Sequence, residues 1–315
     1  MTRQPRQRVI GMLGGMSWES SAAYYRLANE IVRDRLGGLH SARVLLASVD
    51  FAEIEQLQAA GQWEQAGGLL AQVAQSLEAG GAELLVVCTN TMHRVADQIQ
   101  AAIAIPLLHL GDTTARAVTG AGLRTVGLLG TAFTMEQDFY RDRLAGHGLT
   151  VLVPPTDDRA EVHRIIYDEL CLGQLLEPSR QFYREVITRL VAAGGEGIIL
   201  GCTEIELLIA AADSPVPVFP TTRIHVEAAV DLALSDPSER MPGAASVGQR
   251  VDRDELNASL GLGTLVAQGQ GGRRPGRLRK SLDDAPAVAS RRGVEPDQVV
   301  AADVSGGSTR WVHPR

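Results

Sequence analysis

Two stretches of this chain share a pattern that few folds accommodate. Leu84-Leu85-Val86-Val87-Cys88-Thr89-Asn90-Thr91-Met92-His93 is an apolar run that breaks abruptly into small polar residues. Ile198-Ile199-Leu200-Gly201-Cys202-Thr203-Glu204 repeats the pattern far downstream. A short apolar run without polar alternation reads as a strand buried on both faces, which parallel sheets covered by helices require. Laid together without gaps from Ala79 and Ala193, the two segments pair Cys88 with Cys202. Sliding by one pairs Thr89 with Cys202 instead. Such a slip turns a strand side chain to the opposite face, so only one of Cys88 and Thr89 can match Cys202.

The rest of the chain supports that architecture. Strands are expected at 9–13, 44–49, 84–88, 107–110, 125–129, 150–153, 197–201 and 216–219, with helical periodicity between them. Ser17 is a candidate N-cap for a helix from Trp18 to Arg35, and Asp112 for one ending near Val118. Gly120-Ala121-Gly122 reads as a hinge, after which the strand–helix rhythm restarts. The expected fold is therefore α/β, with two doubly wound parallel-sheet domains and a cleft between them. Residues 8–119 and 213–236 form the first and 120–212 the second. Ligands in such sheets sit at the carboxyl ends of strands, near helix N-termini. Both opening stretches end there.

From residue 237 the rhythm stops. Gly, Arg, Ser, Asp and Pro dominate 237–315, which is expected to be a disordered tail. Lys and Arg number 12 there against 9 Asp and Glu, too mild a bias for a nucleic-acid partner without an aromatic platform. Three cysteines among 315 residues make no disulfide framework, so a reduced, cytoplasmic protein is expected. No apolar run nears a membrane span and no signal peptide is recognisable. The only lysine, Lys280, lies in the tail, which argues against a pyridoxal-phosphate Schiff base. The histidines lack metal-ligand spacing, and Gly11-Met12-Leu13-Gly14-Gly15 is not a dinucleotide fingerprint. No metal and no cofactor are expected.

A cysteine at the end of a buried strand, just before a helix N-terminus, is expected to have its thiolate favoured and its pKa drawn toward neutrality. Two groups flanking one carbon could take a proton from one face and return one to the other. Free N–H groups at both turns would hold a carboxylate and the enolate-like charge. The plainer alternative is that both cysteines are small buried hydrophobes.

Gly14-Gly15-Met16-Ser17, Cys88-Thr89-Asn90-Thr91-Met92-His93 and Gly201-Cys202-Thr203-Glu204 together resemble the cofactor-independent aspartate/glutamate racemase superfamily, over residues 8–234. The likeness is to the bacterial amino-acid racemase branch whose first motif reads Cys-Thr-Asn-Thr. The resemblance implies Thr89 and Cys202 as the catalytic pair, which favours the slipped register. Met16, Gln58, Asn90, Thr91, Thr131 and Thr203 would touch substrate. Thr89 stands where the wider family has its first cysteine, so the pair is chemically asymmetric and Cys202 is the competent acid/base. If Cys88 instead turns inward, the pair is symmetric. Arg164, beside His163, falls where relatives with acidic substrates carry a basic group, although a solvated arginine fits equally. His93 would support Thr89 or satisfy a backbone carbonyl. The implied activity is racemisation of an amino acid, aspartate or glutamate, and a homodimer follows by analogy alone. A related isomerase or decarboxylase acting on a maleate-type substrate, or a catalytically silent binding protein, are the alternatives.

Overall fold

The computed structural model describes residues 6–235, and the tail expected at 237–315 lies outside them. Element order is β1 (Ile10–Gly14), α1 (Trp18–Leu36), β2 (Val44–Ser48), α2 (Phe51–Ala59), α3 (Trp63–Ala79), β3 (Leu84–Val87), α4 (Ala96–Ala101), α5 (Leu110–Gly120), β4 (Thr125–Gly130), α6 (Ala132–Glu136), α7 (Asp138–Ala145), β5 (Thr150–Leu152), α8 (Thr156–Asp168), α9 (Glu177–Ala192), β6 (Gly197–Gly201), α10 (Ile205–Leu208), β7 (Val218–Pro220) and α11 (Thr221–Leu234). The strands form two parallel sheets, β2-β1-β3 and β5-β4-β6-β7. The α/β architecture read from the alternating pattern is the one found.

Strand pleat sorts the first sheet's side chains. Ile10, Met12, Leu84, Val86 and Cys88 join a core built on Tyr24, Leu27 and Ala28 of α1 with Val226 and Val230 of α11. Leu13, Leu85 and Val87 face the other way, against Leu70, Ala74 and Leu77 of α3. Both faces are dry, which is why these strands show no polar alternation. The second sheet builds its core from Val126, Leu128, Ile198 and Leu200 with Val162, Ile166, Tyr183 and Val186 of its helices.

Local chemistry places the turns. Ser17 Oγ accepts from Ser20 N at 3.3 Å and caps α1, as expected. Gly15 has φ +96°, and a Cβ there would lie 2.1 Å from Val49 O, so only glycine serves. The strand expected at 107–110 reduces to a single bridge, Leu85 with Leu107, because His109 ends it by capping α5: its Nδ1 accepts from Gly111 N at 3.1 Å. Asp112 is instead held by Arg143 at 2.7 Å through both carboxylate oxygens. The helical stretch expected between the strands at 125–129 and 150–153 breaks at Gln137, which is extended, into α6 and α7. β7 pairs with β6, so the strand within 213–236 belongs to the second sheet. The return to the first is made by α11 alone, packed on α1.

Candidate active site

β1, β3, β4 and β6 deliver their carboxyl ends to one cleft. Met16, Gln58, Thr89, Asn90, Thr91, Thr131, Cys202 and Thr203 all line it, joined by Phe51, Ile166, Tyr167, Cys171 and Glu204. The enclosed room is about 20 Å³, enough for about one water. Entry of anything larger requires the walls to part. Phe51 of α2 stacks on Tyr167 of α8 with centroids 6.3 Å apart, and Tyr167 Oη donates to Gln58 Oε1 at 3.4 Å. Thr91 Oγ1 meets Thr131 Oγ1 at 3.0 Å, a second tie between the sheets.

At the first turn the pleat decides which residue faces inward. Cys88 continues the alternation of Leu84 and Val86 into the α1–α11 core, its N–H donating to Leu13 O at 2.9 Å. Burial pushes its thiol far up. The next residue, Thr89, lines the cleft. His93 is a brace beneath it. Leu110 N donates to His93 Nε2 at 3.1 Å, so the ring proton sits on Nδ1 and is donated to Thr89 O at 2.8 Å. Burial holds His93 down at about 4, which keeps it neutral. Asn90 Nδ2 donates to Thr221 Oγ1 at 3.1 Å, whereas Asn90 Oδ1 is buried without a partner.

The second turn has a different supporting cast. Cys202 Sγ donates to Glu204 Oε2 at 2.8 Å, Thr203 Oγ1 donates to the same oxygen at 2.7 Å, and Ser17 Oγ donates to Glu204 Oε1 at 2.5 Å. Gly201 precedes the thiol because a Cβ there would lie 2.9 Å from Leu129 O. The expectation of a lowered Cys202 pKa is corrected: burial, and then the Glu204 carboxylate, push the thiol well above its usual range. The following helix, α10, is four residues long. A single turn has too little dipole to offset desolvation and an adjacent negative charge.

Arg164 stands outside this assembly. Its guanidinium is held by Glu161 at 2.7 and 2.9 Å and by Glu169 at 2.9 Å. His163, Ile166 and Tyr167 occupy the side of α8 nearest the cleft: His163 Nδ1 accepts from Ala132 N, and Ile166 and Tyr167 line it. Arg164 is rotated off that face by helical geometry, so the basic group expected there is not delivered. Among the described residues the cleft lining holds no lysine or arginine, and no group of three or more His, Cys, Asp or Glu could hold a metal. Glu204, Ser17, Phe51, Tyr167 and Cys171 were not singled out as site residues from sequence. Glu204 carried a signal nonetheless: a carboxylate two residues after a strand-end thiol.

Residues 13–229 match the family model described as Asp/Glu/hydantoin racemase. A crystal structure described as a candidate Asp/Glu racemase from Yersinia pestis is 57% identical, with 72% of this chain and 100% of that one covered and a TM-score of 0.69. An aspartate racemase homologue from Pyrococcus horikoshii OT3 is 35% identical over 72% of this chain and 100% of its own, with a TM-score of 0.65. The broad specificity amino-acid racemase RacX of Bacillus subtilis is 22% identical over 51% of this chain and 70% of its own length.

Proposed function

This chain belongs to the Asp/Glu/hydantoin racemase family, and from that premise we propose that it racemises an α-amino acid by proton abstraction and return at the α-carbon, without a cofactor. One observation carries the reading. Thr89 and Cys202 reach a single cleft from the ends of different sheets, and the Cys202 thiol is hydrogen-bonded to a buried carboxylate.

The raised thiol pKa defines the order of events. At rest Cys202 is protonated, and Glu204 is the group placed to take its proton. A substrate α-ammonium entering the cleft brings the positive charge that makes the thiolate accessible. The desolvated thiolate takes the α-proton, and the Thr89 hydroxyl delivers a proton to the opposite face. Water replaces the proton lost from Thr89, and Glu204 releases its own, so the count closes. The asymmetry of the pair follows: a hydroxyl donates readily but abstracts poorly.

Aspartate and glutamate are the substrates that the family likeness suggests. A second reading, broad specificity toward amino acids with uncharged side chains, is favoured by the lining. No cation faces the cleft among the described residues, and Arg164 is already neutralised by carboxylates. The test is α-hydrogen exchange in deuterated water across a panel of L- and D-amino acids, for wild type and Cys202→Ser. Exchange with aspartate alone supports the first reading, and exchange with leucine or methionine the second. Absence of exchange with every amino acid of the panel defeats both.

A further inference from the structure

We propose that Thr221 is a positioning residue that aims the Asn90 amide so that its unpartnered oxygen receives the substrate's α-ammonium, making the cleft selective for amino acids over their deaminated counterparts. This rests on the racemase reading and names the contact by which the same site recognises its substrate class.

Thr221, fully buried at the start of α11, has one hydroxyl proton, which is donated to Leu200 O at 2.8 Å. A second neighbour, Glu206 Oε1 at 3.4 Å, is also placed to accept from that hydroxyl. Toward Asn90 the hydroxyl therefore presents lone pairs only, and the amide must turn its NH₂ to Thr221. A flipped amide would set oxygen against oxygen. The orientation leaves Asn90 Oδ1 on the other side, buried and without a partner, in a residue that is 3% exposed and lines the cleft.

A buried acceptor without a donor costs free energy that a ligand N–H can recover. An ammonium supplies that donor; a carboxylate or methylene does not. The same hydroxyl ties Asn90 to Leu200, two residues before Cys202 on the strand that carries the thiol. Thr221 thus registers the ammonium-holding atom against the acid/base group, across the two sheets.

The test uses the full chain with Thr221→Val, which removes the hydroxyl at nearly constant shape, and Thr221→Ser, which retains it. Calorimetric titration with leucine against 4-methylpentanoate, and with aspartate against succinate, reads the preference for the ammonium. Thr221→Val is expected to shrink that preference by about tenfold and to raise KM by a similar factor, with kcat moved far less. Thr221→Ser is expected to restore wild-type values. A wild type that holds neither amino acid more tightly than its deaminated counterpart overturns the inference, as does a serine variant that behaves like valine or a loss in kcat alone. Failure of the racemase reading is separable, because absent α-hydrogen exchange leaves the binding preferences to decide the role of Thr221.

Discussion

The turn after β3 and the turn after β6 use the same backbone device and arrive at different chemistry. Both end a buried strand in a short polar segment that lines the cleft. After β6 the thiol of Cys202 faces inward and a carboxylate, Glu204, holds it. After β3 the thiol of Cys88 is consumed by the core, a hydroxyl faces inward, and a neutral histidine braces the backbone behind it. Residue type does not distinguish these outcomes, since both turns contain Cys-Thr. The pleat does, because one step along a strand exchanges core for cleft.

Removing the thiol should break the comparison most severely. Cys202→Ser is expected to lower racemisation by roughly 10²–10⁴-fold, the range for losing a positioned acid/base group. Amino-acid binding measured by calorimetry should survive. Glu204→Gln comes next, at about 10–100-fold near neutral pH. Its pH profile carries the diagnostic. The wild-type thiol is raised by burial and by the adjacent carboxylate, so deleting that charge lowers the thiol pKa relative to wild type. The variant's rate should accordingly recover as pH rises, by direct ionisation of Cys202. A flat profile would remove Glu204 from the proton path.

Thr89→Cys tests the asymmetry itself. The equilibrium constant between enantiomers is one, so kcat/KM must be equal in the two directions whatever the residues. The difference between hydroxyl and thiol can appear only in matched changes of kcat and KM. Wild type is expected to show unequal maximal initial rates from the two enantiomers, by up to about tenfold. The cysteine variant should bring them together.

Much of the fold was legible because it rests on local and periodic signals. Continuous apolar runs mark the strands, Ser17 marks a helix start, and a one-residue slip sets Thr89 against Cys88 for the place that matches Cys202. What escaped depends on side-chain partners, near and far in sequence, that periodicity does not reveal. Asp112 looked like a cap until Arg143, across from it, claimed both oxygens, leaving the role to His109. Arg164 occupied the expected helix, but helical phase and the Glu161 and Glu169 carboxylates removed it from the cleft. The direction of the Cys202 pKa shift could not be read without its burial and without the contact to Glu204 two residues on.

Acid should reach the two turns unequally. His93 is buried and neutral, held at about 4, against about 6.5 when unfolded. Above 6.5 neither state binds the proton and the histidine is indifferent to pH. Between 6.5 and 4 only the unfolded chain binds it, so stability falls by about 1.4 kcal/mol per pH unit on this residue's account. Denaturant midpoints at pH 7 and pH 5 should therefore drop less in His93→Asn than in wild type. An equal drop would mean that the brace on Thr89 is not this neutral ring.

The smallest effect on turnover is expected at Cys88, and it bears most directly on the contrast between the turns. Cys88→Ser places a hydroxyl among Met12, Val86 and Val226, where burying an unpaired group costs about 1–3 kcal/mol. Thermal stability should fall while kcat stays within about twofold. Thr89→Ala should do the reverse, leaving the fold intact and depressing turnover, because Thr89 lines the cleft and contributes little to the core. The opposite pattern, activity lost with Cys88→Ser and kept with Thr89→Ala, would mean that the first thiol reaches the substrate after all. The two turns would then be chemically matched, and the slip of one residue would carry no functional weight.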